Sequence, residues 1–139
     1  RAARSDAALA FAILDIDLFK RINDSCGHLA GDSVLRQVTA TIRRGMRAGD
    51  VAGRIGGEEF GLLMPELGAE AALAHAQALR VAVEQATFAV APVSHPVTIS
   101  IGLASFGPSH PDRASLMRAA DLALYRAKQA GRNRVVVAE

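Results

Sequence analysis

Residues Leu9–Ile16 (LAFAILDI) form an apolar run broken only by Asp15 and followed at once by Asp17. A run of this length is the pattern of a strand covered on both faces, and the two acids mark where it emerges at a polar rim. A chain built round such a strand needs a layer on each side of a sheet, and the rest of the sequence supplies candidates. From Asp32 the apolar positions Leu35, Val38 and Ile42 follow helical spacing and stop near Gly45, with Arg43, Arg44 and Arg47 suited to the negative end of the helix dipole. Val51–Ile55 and Phe60–Met64 flank Gly56, Gly57, Glu58 and Glu59, a hairpin signal because glycine supplies the positive φ that tight turns need. Pro65 to Gly68 breaks that pattern, and Ala69–Gln85 predicts an alanine-rich helix with Leu73, Leu79 and Val83 as its larger apolar side chains. Val97–Ser105 alternates as a strand after Pro92 and Pro96. Asp112–Ala130 predicts a last helix stopped by Gly131, and Arg134–Ala138 a closing strand. This order predicts an α/β (α+β) fold, one domain over residues 1–139 with a mixed central sheet of about five strands flanked by helices.

Composition removes several function classes. Sixteen basic against fourteen acidic side chains in 139 residues leave a net charge of +2, too near balance for a nucleic-acid footprint. Aromatics are 4% of residues, with Tyr125 the one tyrosine and no tryptophan, so a sheet built to stack exposed bases has little material. No apolar run approaches the roughly 20 residues that span a bilayer. Cys26 alone permits neither an internal disulfide nor a cysteine-based zinc site and fits a reducing compartment, so a cytoplasmic location is expected. His28, His75, His95 and His110 are spaced as no metal cluster would be and are expected to be structural or exposed.

The acids carry the chemistry. At the hairpin tip Gly56 and Gly57 precede Glu58 and Glu59, so a bulky anion can lie against bare backbone while a carboxylate holds its metal; an ordinary solvated turn is the simpler alternative. Asp15 and Asp17 share one face of their strand, which can neighbour the hairpin. Magnesium takes one or two carboxylates together with substrate phosphates, so Asp15 with Glu58 is a sufficient protein contribution.

Four separated segments, DIDLFKRINDSCGHLAGD (Asp15 to Asp32), RAGDVAGRIGGEEF (Arg47 to Phe60), VTISIGLA (Val97 to Ala104) and ADLALYRAKQAGRNRV (Ala120 to Val135), together resemble the GGDEF domain of the diguanylate cyclase family, here with a GGEEF tip. The resemblance implies a sheet similar to polymerase palms and class III nucleotidyl cyclases, and condensation of two GTP into cyclic di-GMP with release of two pyrophosphates. It implies magnesium, with manganese as the alternative ion, on Asp15, the Ile16 carbonyl and Glu58, and Glu59 near the ribose 3′-hydroxyl. It places Asn23 and Asp32 at guanine, Gly56 and Gly57 against the nucleotide, and Lys20, Lys128 and Arg132 on the triphosphate. Asp32 could equally be a helix N-cap, and Lys128 and Arg132 helix-terminal cations. Lys20 and Lys128 are the two lysines among sixteen basic residues, and both fall on phosphate positions. Asp17 receives no role from the resemblance.

Further implications are a homodimer, because each domain holds one GTP, and product inhibition by cyclic di-GMP at Arg47 and Asp50, an R-x-x-D pair ending shortly before the hairpin tip. Such a pair suits a guanine and a phosphate; a surface arginine beside a loop aspartate is the alternative. A catalytically silent domain that binds cyclic di-GMP or GTP is the rival reading. The family domain starts with a helix and a segment resembling D-x-LTGL-x-NRR, of which Arg1–Asp6 could be only the tail, so an upstream sensory or regulatory part is expected.

Overall fold

A computed structural model describes residues 8–86 and 97–139. Its elements in chain order are β1 (Leu9–Ile16), α1 (Phe19–Cys26), α2 (His28–Gly45), β2 (Val51–Gly56), β3 (Glu59–Pro65), α3 (Ala69–Gln85), β4 (Ile99–Ser105), α4 (Arg113–Gln129) and β5 (Val135–Val137). The five strands make one sheet in the order β2-β3-β1-β4-β5. β1 is central and antiparallel to both β3 and β4, β2 closes the hairpin with β3, and β5 runs parallel to β4. The mixed sheet and the central place of the apolar run are as the sequence predicts. Arg1–Asp6, Pro92, His95 and Pro96 lie outside the described residues.

Period-two alternation divides the core. Ala10, Ala12, Leu14 and Ile16 of β1, with Ile99, Ile101 and Leu103 of β4, meet Val34, Val38 and Ile42 of α2 and Ala72, Ala76, Leu79 and Val83 of α3. On the other face Ile13 and Ala104 pack on Leu116, Ala120 and Leu124 of α4. The β4 positions facing α4 are Ser100, Gly102 and Ala104, all small. A Cβ on Gly102 would stand 2.1 Å from the Ala120 carbonyl oxygen and 2.3 Å from the Leu124 nitrogen, so α4 lies on bare strand backbone. α4 begins at a capping box: Ser115 N donates to the Asp112 carboxylate at 2.8 Å, and Asp112 N to Ser115 Oγ at 3.2 Å. Among the described residues no helix is long and apolar enough to cross a membrane.

Two boundaries depart from the pattern reading. α1 is a helix that the sequence does not announce, because Ile22 is its one buried residue. α2 begins at His28, four residues before Asp32, since its first turn is exposed, Leu29 at 86%, and carries no apolar stripe. Asp32 therefore lies inside α2, and its reading as the N-cap falls: Gly27, at φ +89°, takes that position without a side-chain cap.

Candidate active site

The β2–β3 turn is Gly57–Glu58, since Gly56 pairs with Glu59 across a register shift after Arg54. Gly57 sits at φ +38°, in left-handed backbone that glycine enters without steric cost. Arg54 Nη2 donates to the Gly57 carbonyl, and Ile16 N to the Glu58 carbonyl at 3.4 Å, so the tip is tied to its own strand and to the end of β1. Glu59 stands opposite Asp15 in the β1–β3 register. The hairpin thus brings both glutamates to the mouth of the central strand, as the sequence predicts.

A cavity of about 450 Å³ opens there, lined among others by Asp15, Ile16, Lys20, Glu58, Lys128 and Arg132. Six of the residues singled out in the sequence meet in this one space, although Lys128 follows Asp15 by 113 positions. Arg21 and Asp24 of α1 also line it and carried no signal of their own. Asn23 and Asp32, and with them Gly56 and Gly57, are not among the residues that line it. The Asn23 amide oxygen occupies the place of a Gly31 Cβ, 1.7 Å from where that atom would be, so the missing side chain at Gly31 makes room for Asn23 against α2.

Asp15 is the residue whose environment costs most. It is 2% exposed, its Oδ2 accepts from Lys128 Nζ, and its Oδ1 is buried with no hydrogen-bond partner. Burial pushes its carboxyl up from 3.8 to about 6, the Lys128 hydrogen bond and charge pull it down, and Glu58 and Glu59 push it further up. An unpartnered oxygen on a buried acid that lines a cavity with a second carboxylate is a donor set that fits a divalent cation. Among the described residues no three His, Cys, Asp or Glu side chains gather as a metal site, so the arrangement fits magnesium, which fills its shell with substrate oxygens, better than a metal caged by protein alone.

Asp17 is different. Its Oδ1 accepts from Ser100 Oγ at 2.6 Å, and its Oδ2 from Thr98 Oγ1 at 2.7 Å and from Asn133 N at 3.0 Å. It shares Asp15's side of the sheet, but its carboxylate is consumed in joining β1 to β4 and to the turn after α4. That turn runs through Gly131, Arg132 and Asn133 at φ +126°, +67° and +49°. Left-handed backbone at two successive non-glycine residues costs about 1–2 kcal/mol each, and Asn133 is held there from three sides. Its Nδ2 donates to Glu84 at 2.7 Å, its Oδ1 accepts from Arg80 at 3.0 Å, and its N donates to Asp17. The turn delivers Arg132 to the cavity, and Asp17 positions the turn.

The R-x-x-D pair sits elsewhere, on the segment between α2 and β2. The Asp50 side chain is fully buried; Arg47 N donates to Oδ2 at 2.9 Å, and Arg47 Nε to Oδ1 at 3.0 Å. Arg47 Nη2 reaches the Pro65 carbonyl at 2.7 Å, and His75 Nε2 meets Asp50 Oδ2 at 2.8 Å. Burial alone would raise the Asp50 carboxyl, but the hydrogen bonds from Arg47 and His75 hold it below the usual range.

Residues 1–134 match the family described as "Diguanylate cyclase, GGDEF domain". The chain is 43% identical over 138 residues to diguanylate cyclase DgcP of Pseudomonas aeruginosa, covering 99% of this chain and 20% of that protein. It is 42% identical over 131 residues to diguanylate cyclase A of Treponema denticola, covering 94% of this chain and 35% of that protein. The chain thus spans between a fifth and about a third of these curated relatives. Among solved structures, the active GGEEF domain of a diguanylate cyclase from Vibrio cholerae superposes with a TM-score of 0.89 at 32% identity, covering 100% of this chain and 88% of that one. The GGDEF domain of DgcB from Caulobacter crescentus, solved in complex with c-di-GMP, superposes with a TM-score of 0.86 at 34% identity, over 98% of this chain and 82% of that one.

Proposed function

Because the chain belongs to the GGDEF family of diguanylate cyclases, we propose that it condenses two GTP molecules into cyclic di-GMP, releasing two pyrophosphates. The observation that carries the proposal is the unpartnered, buried Oδ1 of Asp15, in a cavity whose other walls are Glu58, Lys20, Lys128 and Arg132. A buried acid pushed up to about 6 is poorly placed for stability and well placed to receive a cation with a triphosphate behind it.

Asp15, the Ile16 carbonyl and Glu58 hold the divalent ion, magnesium or manganese, which when bound activates the nucleophile and neutralises charge developing at the α-phosphorus. The chain's own groups do the rest. Lys128, which pairs with Asp15 at the cavity wall, would meet the phosphates together with Lys20 and Arg132. Asn23, seated against Gly31, and Asp32 offer an amide and a carboxylate to the guanine N–H edge, and the bare backbone of Gly56 and Gly57 lets the nucleotide approach the tip. Glu59, opposite Asp15, orients the ribose 3′-hydroxyl and takes its proton as that oxygen attacks in line. One domain holds one GTP, so bond formation needs a second copy facing it, and the reaction belongs to a homodimer.

Arg47 and Asp50 form a separate inhibitory site for cyclic di-GMP, supported by the buried, ionised state of Asp50 and by the c-di-GMP bound to the similar DgcB domain. The same site supports the second reading, a silent domain that only binds cyclic di-GMP. Glu58→Ala tests the catalytic reading: the folded variant is expected to make no cyclic di-GMP from GTP and magnesium, and retained synthesis contradicts the metal assignment.

A further inference from the structure

The Asp50 cluster contains one residue that the R-x-x-D motif does not include. Oδ2 accepts from Arg47 N at 2.9 Å and meets His75 Nε2 at 2.8 Å; Oδ1 accepts from Arg47 Nε at 3.0 Å and pairs with Arg47 Nη2 at 2.7 Å. A carboxylate oxygen accepts about two hydrogen bonds, so Oδ2, with Arg47 N and His75 Nε2 upon it, is filled from within the fold. With Asp50 ionised and acceptor-only, His75 Nε2 is the donor of its contact. Two of the three hydrogen-bond donors belong to Arg47, on the same turn as Asp50, and cannot leave without opening that turn. The third comes from α3 on a side chain 13% exposed, with Ala71 and Ala78, both exposed, one turn to either side.

We propose that His75 is an affinity-setting residue of the cyclic dinucleotide site: its ring N–H occupies the Asp50 oxygen that a guanine N–H edge takes, and ligand binding exchanges one donor for the other. The inference rests on the reading of Arg47 and Asp50 as the inhibitory site. Binding then replaces a hydrogen bond to Asp50 instead of adding one, so His75 weakens the inhibitor. Removing the ring leaves the buried carboxylate short of a donor that the ligand supplies.

Titration calorimetry with cyclic di-GMP on the parent, His75→Leu, His75→Gln and Arg47→Ala tests this, with circular dichroism to show that each variant is folded. His75→Leu is expected to bind about tenfold more tightly than the parent, the worth of one hydrogen bond to a charged group. His75→Gln, whose amide restores an N–H, is expected to stay near the parent, and Arg47→Ala to lose binding. If His75→Leu does not fold, His75→Ala is read in the same way. Equal or weaker binding by the ring-deleted variant, with Arg47→Ala still inactive in binding, overturns the role of His75 and leaves the site standing. No binding by the parent, or equal binding by the parent and Arg47→Ala, overturns the site and the inference with it.

Discussion

Asp15→Asn is expected to stabilise the protein while removing the proposed metal ligand. Folding raises the Asp15 carboxyl from 3.8 to about 6, so above pH 6 the folded chain carries an ionised acid that the unfolded chain accommodates more easily. At about 1.36 kcal/mol per unit, that shift is a penalty of about 3 kcal/mol at pH 8, net of the pull from Lys128. The sign follows from a raised acid: the penalty is fully present above pH 6, shrinks as the pH falls towards 3.8, and is gone below it. Asparagine is neutral throughout but brings an amide with its own partners to find, so a gain of roughly 1–2 kcal/mol at pH 8 is expected. For a chain of 139 residues that is roughly 3–8 °C in Tm. Thermal melts of parent and variant in chelator, at pH 8 and pH 4, read the difference, which should favour the variant at the first and fall by roughly 2 kcal/mol, to parity or in favour of the parent, at the second. Magnesium with a non-hydrolysable GTP analogue should then raise the parent's Tm and leave the variant's unchanged. A variant that melts below the parent at pH 8, or a gap that does not change with pH, refutes the argument that Asp15 is buried at a cost to the fold.

Asp17→Asn keeps the shape but loses one of two acceptor oxygens for Ser100, Thr98 and Asn133, so a loss of about 1–3 kcal/mol in chemical denaturation is expected, with weaker GTP binding because the Arg132 turn is released. A stable variant with unchanged GTP affinity contradicts the positioning role. Gly102→Ala sets a methyl group against the α4 backbone and is expected to cost at least 1–3 kcal/mol by the same measurement, α4 having to lift and carry Lys128 away from Asp15. A neutral effect there shows that α4 does not depend on close approach to β4.

The fold was legible where burial imposes a period. The run Leu9–Ile16 occurs at the centre of the sheet because only a doubly covered strand can be apolar on both sides, and α3 keeps its predicted bounds because its buried positions recur every turn. α1 and the start of α2 were not legible, since they rest on one buried isoleucine and an exposed first turn and leave no period to read. Of the site, Asp15 and Glu58 could be named from the residue pattern, and Ile16, Lys20, Lys128 and Arg132 from the family resemblance. Their partners could not: hydrogen bonds between residues 81 to 116 positions apart, such as Thr98 to Asp17 and Asn133 to Asp17, leave no local pattern. Asp17, which received no role from the sequence, is a clamp, and His75, expected to be structural or exposed, is a partner of Asp50.

The most direct test of the central claim is a time course of GTP with magnesium over a series of protein concentrations, with nucleotides resolved by chromatography. Cyclic di-GMP should accumulate with two pyrophosphates released per molecule, at a rate per protein that rises with protein concentration because two domains must meet. Unchanged GTP at every concentration, with cyclic di-GMP bound through Arg47, contradicts the account and makes the domain a receptor.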